Sequence, residues 1–176
     1  IYIAHASEGA ALFRKLGATR LVETWAEEVP HGKQTDFYRA TKLEAGEVPL
    51  FSWVEYPDRA ARMKAGEDMM NDPDMASMSE MPFDATRMIY GGFEVLNEAG
   101  ARTKPGYVDA MISPVPVANK EVYRAAAIEQ APLVMEQGAL RVVDTWGDDV
   151  PAGKTTDFQR AVAARPDETI GFSFIE

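Results

Sequence analysis

Val29-Pro30-His31-Gly32-Lys33-Gln34-Thr35-Asp36-Phe37-Tyr38-Arg39-Ala40 returns 121 residues later as Val150-Pro151-Ala152-Gly153-Lys154-Thr155-Thr156-Asp157-Phe158-Gln159-Arg160-Ala161. The same offset aligns Ile1–Glu55 with Val122–Glu176 without a gap, and 25 of those 55 pairs are identical. A period this long is too great for a solenoid unit and suits a duplicated domain. Residues 56–121 occur once, so they hold the end of copy one, a linker and the start of copy two. Ile1 opens in what reads as the middle of an element, as a fragment boundary or a processed end would.

Pooling the copies gives one order of elements. Tyr107–Ser113 alternates loosely and stops at Pro114, as a strand does. Asn119 is placed to cap a helix to about Gln137, with Glu121 in its first turn, Gly138 as its stop and a kink at Pro132. Thr19–Trp25 and Leu140–Trp146 read as strands. An acidic loop and a Pro-x-Gly turn follow, and Thr35–Thr41 reads as strand again. Val48–Tyr56 is an apolar strand, Asp58 caps a helix to about Met70, Asn71–Asp84 is broken, and Arg87–Leu96 is the last strand. The order β-α-β-β-α-β predicts an α+β fold of ferredoxin-like modules, each an antiparallel sheet with both helices on one face. The other face is apolar too and needs a second sheet, which a duplicated module supplies within one chain.

Composition narrows the partners. Of 176 residues, 28 are Asp or Glu and 18 Lys or Arg, a net charge of −10, so the basic face that a nucleic acid requires is lacking. With no cysteine there is no disulfide, thiolate nucleophile or zinc–thiolate site, and the expected setting is cytoplasmic. No apolar run reaches the roughly 18 residues of a membrane span.

Three blocks together are similar to a known family: Asp148–Ala161, Phe51–Ala60 and Met81–Leu96. They resemble the YbaA-like family of small bacterial proteins, domains of unknown function in the dimeric α+β barrel superfamily. The resemblance implies ferredoxin-like modules whose antiparallel sheets pack face to face as a dimeric α+β barrel, here within one chain. It brings no catalytic residues. The superfamily includes cofactor-free monooxygenases, isomerases, haem-linked enzymes and plain binding modules, and fold does not choose among them.

Candidate chemistry begins with the shared groups Lys33, Asp36, Arg39 and Lys154, Asp157, Arg160. On a strand of period two, Arg39 and Asp36 point apart, so Asp36 reads as a turn-stabilising residue and the cations as exposed. The functional alternative is an Arg that holds an anionic ligand at a barrel mouth. Trp25, Trp53, Tyr56 and Tyr90 could line a pocket between sheet and helices, although strand aromatics more often belong to a core or interface. His5 and His31 face Ala126 and Ala152 in copy two, so a His base cannot serve both copies. No spacing suggests a metal site, and no cofactor is expected. Met69, Met70, Met75, Met78 and Met81 read as flexible packing rather than a copper site. Gly91-Gly92 reads as a bulge or close backbone approach, not a phosphate cradle.

Two functions remain open: a small-molecule-binding protein or cofactor-free enzyme taking a small anionic or aromatic ligand, and a non-catalytic assembly module with no ligand pocket. The expected division is 1–96 for a first module lacking its first strand, 97–106 for a linker, and 107–176 for a second module lacking its last helix and strand. Because first and last strands are neighbours in a ferredoxin-like sheet, Tyr107–Ser113 is expected to pair with Arg87–Leu96. That would close residues 1–113 as a permuted module and leave 119–176 to pack on it, or to form a homodimer that completes the truncated module.

Overall fold

The structure is a computed structural model that describes residues 1–77 and 80–176. Met78, one member of the methionine cluster, lies outside the described residues. The chain divides into two compact units: Ile1–Glu28 with Gly46–Ala85, and Val29–Ala45 with Thr86–Glu176.

The first unit holds α1 (Tyr2–Lys15), β1 (Arg20–Trp25), β2 (Leu50–Glu55), α3 (Arg59–Asn71) and α4 (Pro73–Ser77). β1 and β2 pair antiparallel as a two-stranded sheet, from Arg20 opposite Glu55 to Trp25 opposite Leu50. α1 packs on β1. Lys15 in its last turn reaches Asp72 at 2.8 Å and Asp74 at 2.7 Å. α3 starts where the sequence places it, because the Asp58 carboxylate accepts the Ala61 N–H at 2.8 Å.

The second unit holds α2 (Phe37–Ala40), β3 (Gly92–Gly100), β4 (Asp109–Pro116), α5 (Lys120–Glu136), β5 (Arg141–Asp149), α6 (Phe158–Ala161) and β6 (Glu168–Ile175). Its sheet is antiparallel with the order β3-β5-β6-β4. α5 carries Tyr123, Ala127 and Ala131 on one stripe spaced by four, and it packs on β3, β4 and β5. Two alanines in that stripe, both buried, let the helix axis come close to the sheet. Pro132 lies inside the helix.

Four expectations are corrected. The segment 35–41 is not strand: α2, and α6 in copy two, are single helical turns fixed by the Asp at their N-cap. The last strand of copy one is shifted to Gly92–Gly100, behind a 3₁₀ turn at Ala85–Arg87, because its polar half finds partners on β5 and α5. β4 does not pair with β3. It lies along β6, from Asp109 opposite Ile175 to Pro116 opposite Glu168, while β3 lies along β5. The expected closure of residues 1–113 is therefore overturned: β4 has a full-length partner in its own copy, and β3 covers the edge of β5 that would otherwise stay open. The described strands form two open sheets and no closed barrel.

The order within copy two is ferredoxin-like for its own three strands, β4-β6-β5, with α5 crossing between the first and the second in sequence. The fourth strand comes from copy one and joins at the β5 edge rather than beside β4. No helix among the described residues is long and apolar enough to cross a membrane.

Candidate functional site

The quoted repeat folds twice into the same loop. Asp36 accepts the Arg39 N–H at 2.8 Å and the Gly32 N–H at 3.2 Å. The Arg39 Nη1 then donates to Asp36 Oδ2 and to the Gly32 carbonyl, each at 2.8 Å. In copy two Asp157 accepts the Arg160 N–H at 2.7 Å and the Gly153 N–H at 3.1 Å, and Arg160 reaches Asp157 at 3.0 Å and the Gly153 carbonyl at 2.8 Å. Glycine is required on grounds of space. A Cβ on Gly32 would stand 1.8 Å from the Thr35 carbonyl oxygen, and one on Gly153 would stand 1.9 Å from that of Thr156.

Even the unlike position in the loop does the same work: the Tyr38 hydroxyl donates to the Val29 carbonyl, and the Gln159 amide to that of Val150, both at 3.0 Å. Each loop ends on a left-handed residue, Lys42 at φ 50° and Ala163 at φ 52°. The two turns, α2 and α6, pack on one another. The Arg39 amide, followed by the Gly32 amide and the Arg39 guanidinium, holds the Asp36 carboxyl below the usual carboxylate range.

So Asp36 joins Arg39, and Asp157 joins Arg160, by i,i+3 contacts that a helical turn permits and a strand would not. The two carboxylates are buried in the loop, whereas the guanidiniums engage it through Nη1 and stay more than half exposed. Lys33 and Lys154 are exposed.

The four aromatics are divided between the units, Trp25, Trp53 and Tyr56 in the first and Tyr90 in the second. Trp53 is buried, with its indole N–H donating to Glu55 at 3.2 Å. Tyr56 is half-buried, and burial raises its pKa. Tyr90, in the second unit, is exposed. Trp25 is 60% exposed and meets the Tyr2 ring edge-on at 6.3 Å.

Trp25 does line a groove between helix and sheet, with neighbours that the sequence reading did not name. Tyr2, Ile3, Ala6, Ser7 and Ala10 of α1 face Leu21, Glu23 and Trp25 of β1 across an open groove of about 440 Å³. The Tyr2 hydroxyl donates to Glu23 at 2.5 Å. Burial, then that hydrogen bond, raises the Tyr2 pKa, so the phenol stays protonated.

Copy two brings the equivalent residues together with more partners, its Tyr hydroxyl meeting Ser173 in place of the carboxylate. Tyr123 bonds Ser173 at 3.2 Å, Ser173 donates to Asp144 at 2.7 Å, and Asn97 of β3 donates to Asp144 at 3.2 Å and to the Ala127 carbonyl at 3.3 Å. The Tyr–carboxylate–Ser set was legible as a repeat, since Tyr2/Tyr123 and Ser52/Ser173 are identical pairs and Glu23/Asp144 an acidic one. What hid it is that no motif links residues so far apart in sequence.

β3 is the lid on this set in copy two. Leu96 is the extra residue of a bulge between Val95 and Asn97, and it packs with Val115, Trp146 and Tyr123. Arg141, 2% exposed, reaches Glu98 of β3 at 2.9 Å and Glu176 at 3.1 Å. Lys120 pairs with Glu94 at 2.6 Å and stands 5.9 Å over the Trp146 ring. Among the described residues, no three His, Asp or Glu side chains gather as a metal-holding group.

These features define a class: an α+β protein of ferredoxin-like modules, in which the last strand of one copy caps the helix-and-hairpin of the next. The chain belongs to the family described as "Protein of unknown function (DUF1428)", which matches residues 1–85 and 106–176. It is 53% identical over 90 residues to the "Uncharacterized protein YbaA" of Escherichia coli (strain K12), an alignment spanning 51% of this chain and 77% of the relative. The protein of the same description from Shigella flexneri matches equally. The YbaA-like resemblance is thereby shown.

Proposed function

We propose that the chain is a non-catalytic assembly module that works by exchanging strands between copies of the module. The observation that carries this reading is β3: a strand following copy one's helices completes the sheet that copy two begins. The pairing is specific in register and chemistry, through Leu96 in its bulge, Asn97 on Asp144 and Glu98 on Arg141. Main-chain bonds supply affinity in such strand addition, and alternate side chains supply selectivity. Against catalysis stands the loop repeat, whose two acids are spent on backbone N–H groups and on the neighbouring guanidiniums.

The test unseats β3 in the full chain. Leu96→Asp, and more mildly Asn97→Ala, should raise amide exchange across Arg141–Asp149, and a peptide copying residues 90–102 should restore protection when added. Unchanged exchange in both variants, or no restoration by the peptide, rejects the reading.

A second reading has one observation in its favour, the groove beside Tyr2, Glu23 and Trp25. Its lining holds a carboxylate and no cation, so it suits a neutral or cationic aromatic ligand better than an anion. A thermal-shift screen of small aromatic amines and acids checks this: stabilisation by amines that Glu23→Gln removes would support it, and stabilisation by neither class would exclude it.

A further inference from the structure

We infer that each copy of the repeated loop is a binding site for one phosphate or carboxylate group, held by the outer edge of Arg39 or Arg160 with Lys33 or Lys154 beside it. This goes beyond the strand-exchange reading and does not depend on it. A guanidinium carries five N–H donors in a planar fork. Arg39 gives its Nη1 hydrogens to the loop, one to Asp36 Oδ2 and one to the Gly32 carbonyl. Arg160 does the same with Asp157 and the Gly153 carbonyl. The Nη2 and Nε hydrogens of both remain, and among the described residues they have no partner. Those hydrogens form the second flat edge of the fork, which matches two oxygens of a carboxylate or a phosphate.

The loop orients that edge before any ligand arrives. The Asp36 and Asp157 side chains are 2% and 5% exposed, whereas their guanidinium partners keep 55% and 57%. A surface arginine ordinarily gives up rotamer freedom when it binds, but here two hydrogen bonds have already fixed the plane of the fork. Lys33 and Lys154 supply the second cation. Each follows the glycine whose carbonyl the guanidinium holds, so its four-carbon stem starts beside the fork although Lys and Arg are six positions apart in sequence. Both lysines are exposed, and among the described residues neither has an acid or carbonyl partner.

Charge favours an anion at these two places on a chain of net charge −10. In each loop two cations, Lys33 and Arg39 or Lys154 and Arg160, stand against one buried carboxylate. Comparison of the copies separates a binding site from a mere brace. Bracing explains the glycine, the aspartate and the arginine, because all three bond to one another. It gives the lysine no role. Loop positions around it differ between the copies, His31 against Ala152, Gln34 against Thr155 and Tyr38 against Gln159, while the exposed lysine is the same in both. The turns α2 and α6, which carry the guanidiniums, pack on one another, so the two sites are neighbours.

The experiment titrates the intact chain with inorganic phosphate and, in a separate arm, with succinate, each against sodium chloride at matched ionic strength. The readout is the NMR signals of the Arg39 and Arg160 Nε–H groups and of the Gly32 and Gly153 amides. Saturable shifts with phosphate, with succinate or with both support the sites and identify the group they take. Shifts that chloride reproduces, or that never saturate, overturn the inference. Lys33→Gln removes a side chain without a partner, so the melting temperature should stay put while binding at the copy-one loop weakens at least about threefold. Copy two serves as the internal control and should keep its affinity. Arg39→Lys keeps the charge but loses the fork, and should weaken binding at Gly32 at least about tenfold. An unchanged affinity in Lys33→Gln, or an equal loss at both loops, overturns the assignment, since the first leaves the lysine idle and the second reflects net charge alone.

Discussion

Copy one and copy two build the same helix and hairpin from closely similar residues, yet one is half bare and the other is core. β1 and β2 match β5 and β6 residue for residue: Thr24 donates to the Phe51 carbonyl at 2.6 Å as Thr145 does to that of Phe172 at 2.8 Å, and each hairpin closes on an Arg–Glu pair. What differs is the company. The copy-two hairpin has β4 on one edge and β3 on the other; the copy-one hairpin has neither. Local sequence builds the hairpin, whereas flanking strands decide how much of it counts as core. The two loop repeats teach the converse. They carry their partners within a dozen residues and come out alike wherever the chain puts them.

The largest break in this symmetry is expected at the two equivalent tryptophans. Trp146→Ala should cost about 3–5 kcal/mol in urea unfolding, because it empties a closed site. Trp25→Ala should cost within about 1 kcal/mol, because it removes an exposed ring. Equal costs would mean that the two hairpins are covered alike.

Next comes the polar bridge to β3. Asn97→Ala leaves Asp144 and the Ala127 carbonyl each short of a donor, and should cost about 1–3 kcal/mol. Its loss should be seen at β5 rather than β1 in amide exchange.

The loops should break the other way, with equal effects in both copies. Gly32→Ala and Gly153→Ala each force a Cβ into a carbonyl oxygen, and each should destabilise by about 1–3 kcal/mol. Asp36→Ala should lower the melting temperature as the loop loses its cap, and Asn at the same position should recover part of the loss.

Acid offers a finer test of how β3 is held. The Arg102 side chain, then Arg141, holds the Glu98 carboxyl below its ordinary value. A depressed folded-state pKa gives stability that is present above the unfolded value of roughly 4 and is lost as pH falls through the folded one. β3 should therefore loosen below about pH 4, and Glu98→Gln should flatten that part of the stability–pH profile. The smallest effect is expected at Ala163→Gly, which relieves a left-handed residue and should stabilise by less than about 1 kcal/mol.

Legibility followed the distance between partners. The duplication, the Asp58 cap and the helix after Asn119 could be read because caps and periodicities are short-range, although the Asn119 side chain makes no capping hydrogen bond. The turn at Asp36 was misread as strand although its partners are near, since a single four-residue turn carries no periodicity. Its Asp-x-x-Arg spacing, repeated in both copies, was the available clue. The Tyr–carboxylate–Ser set was harder, because Tyr123, Asp144 and Ser173 meet only when a helix and two strands stack. The pairing of β3 with β5 was out of reach: Asn97 and Asp144 lie 47 residues apart, and two strand edges competed for the same partner.

The sequence by itself determined that this chain is one ferredoxin-like module written twice, with a loop that folds identically in both copies, because those instructions lie in residues within reach of one another. Tertiary structure decided which hairpin becomes core. That choice depends on where the one described β3 strand goes, and an apolar edge accepts whichever strand best satisfies its backbone and its Asn, Glu and Leu contacts at once.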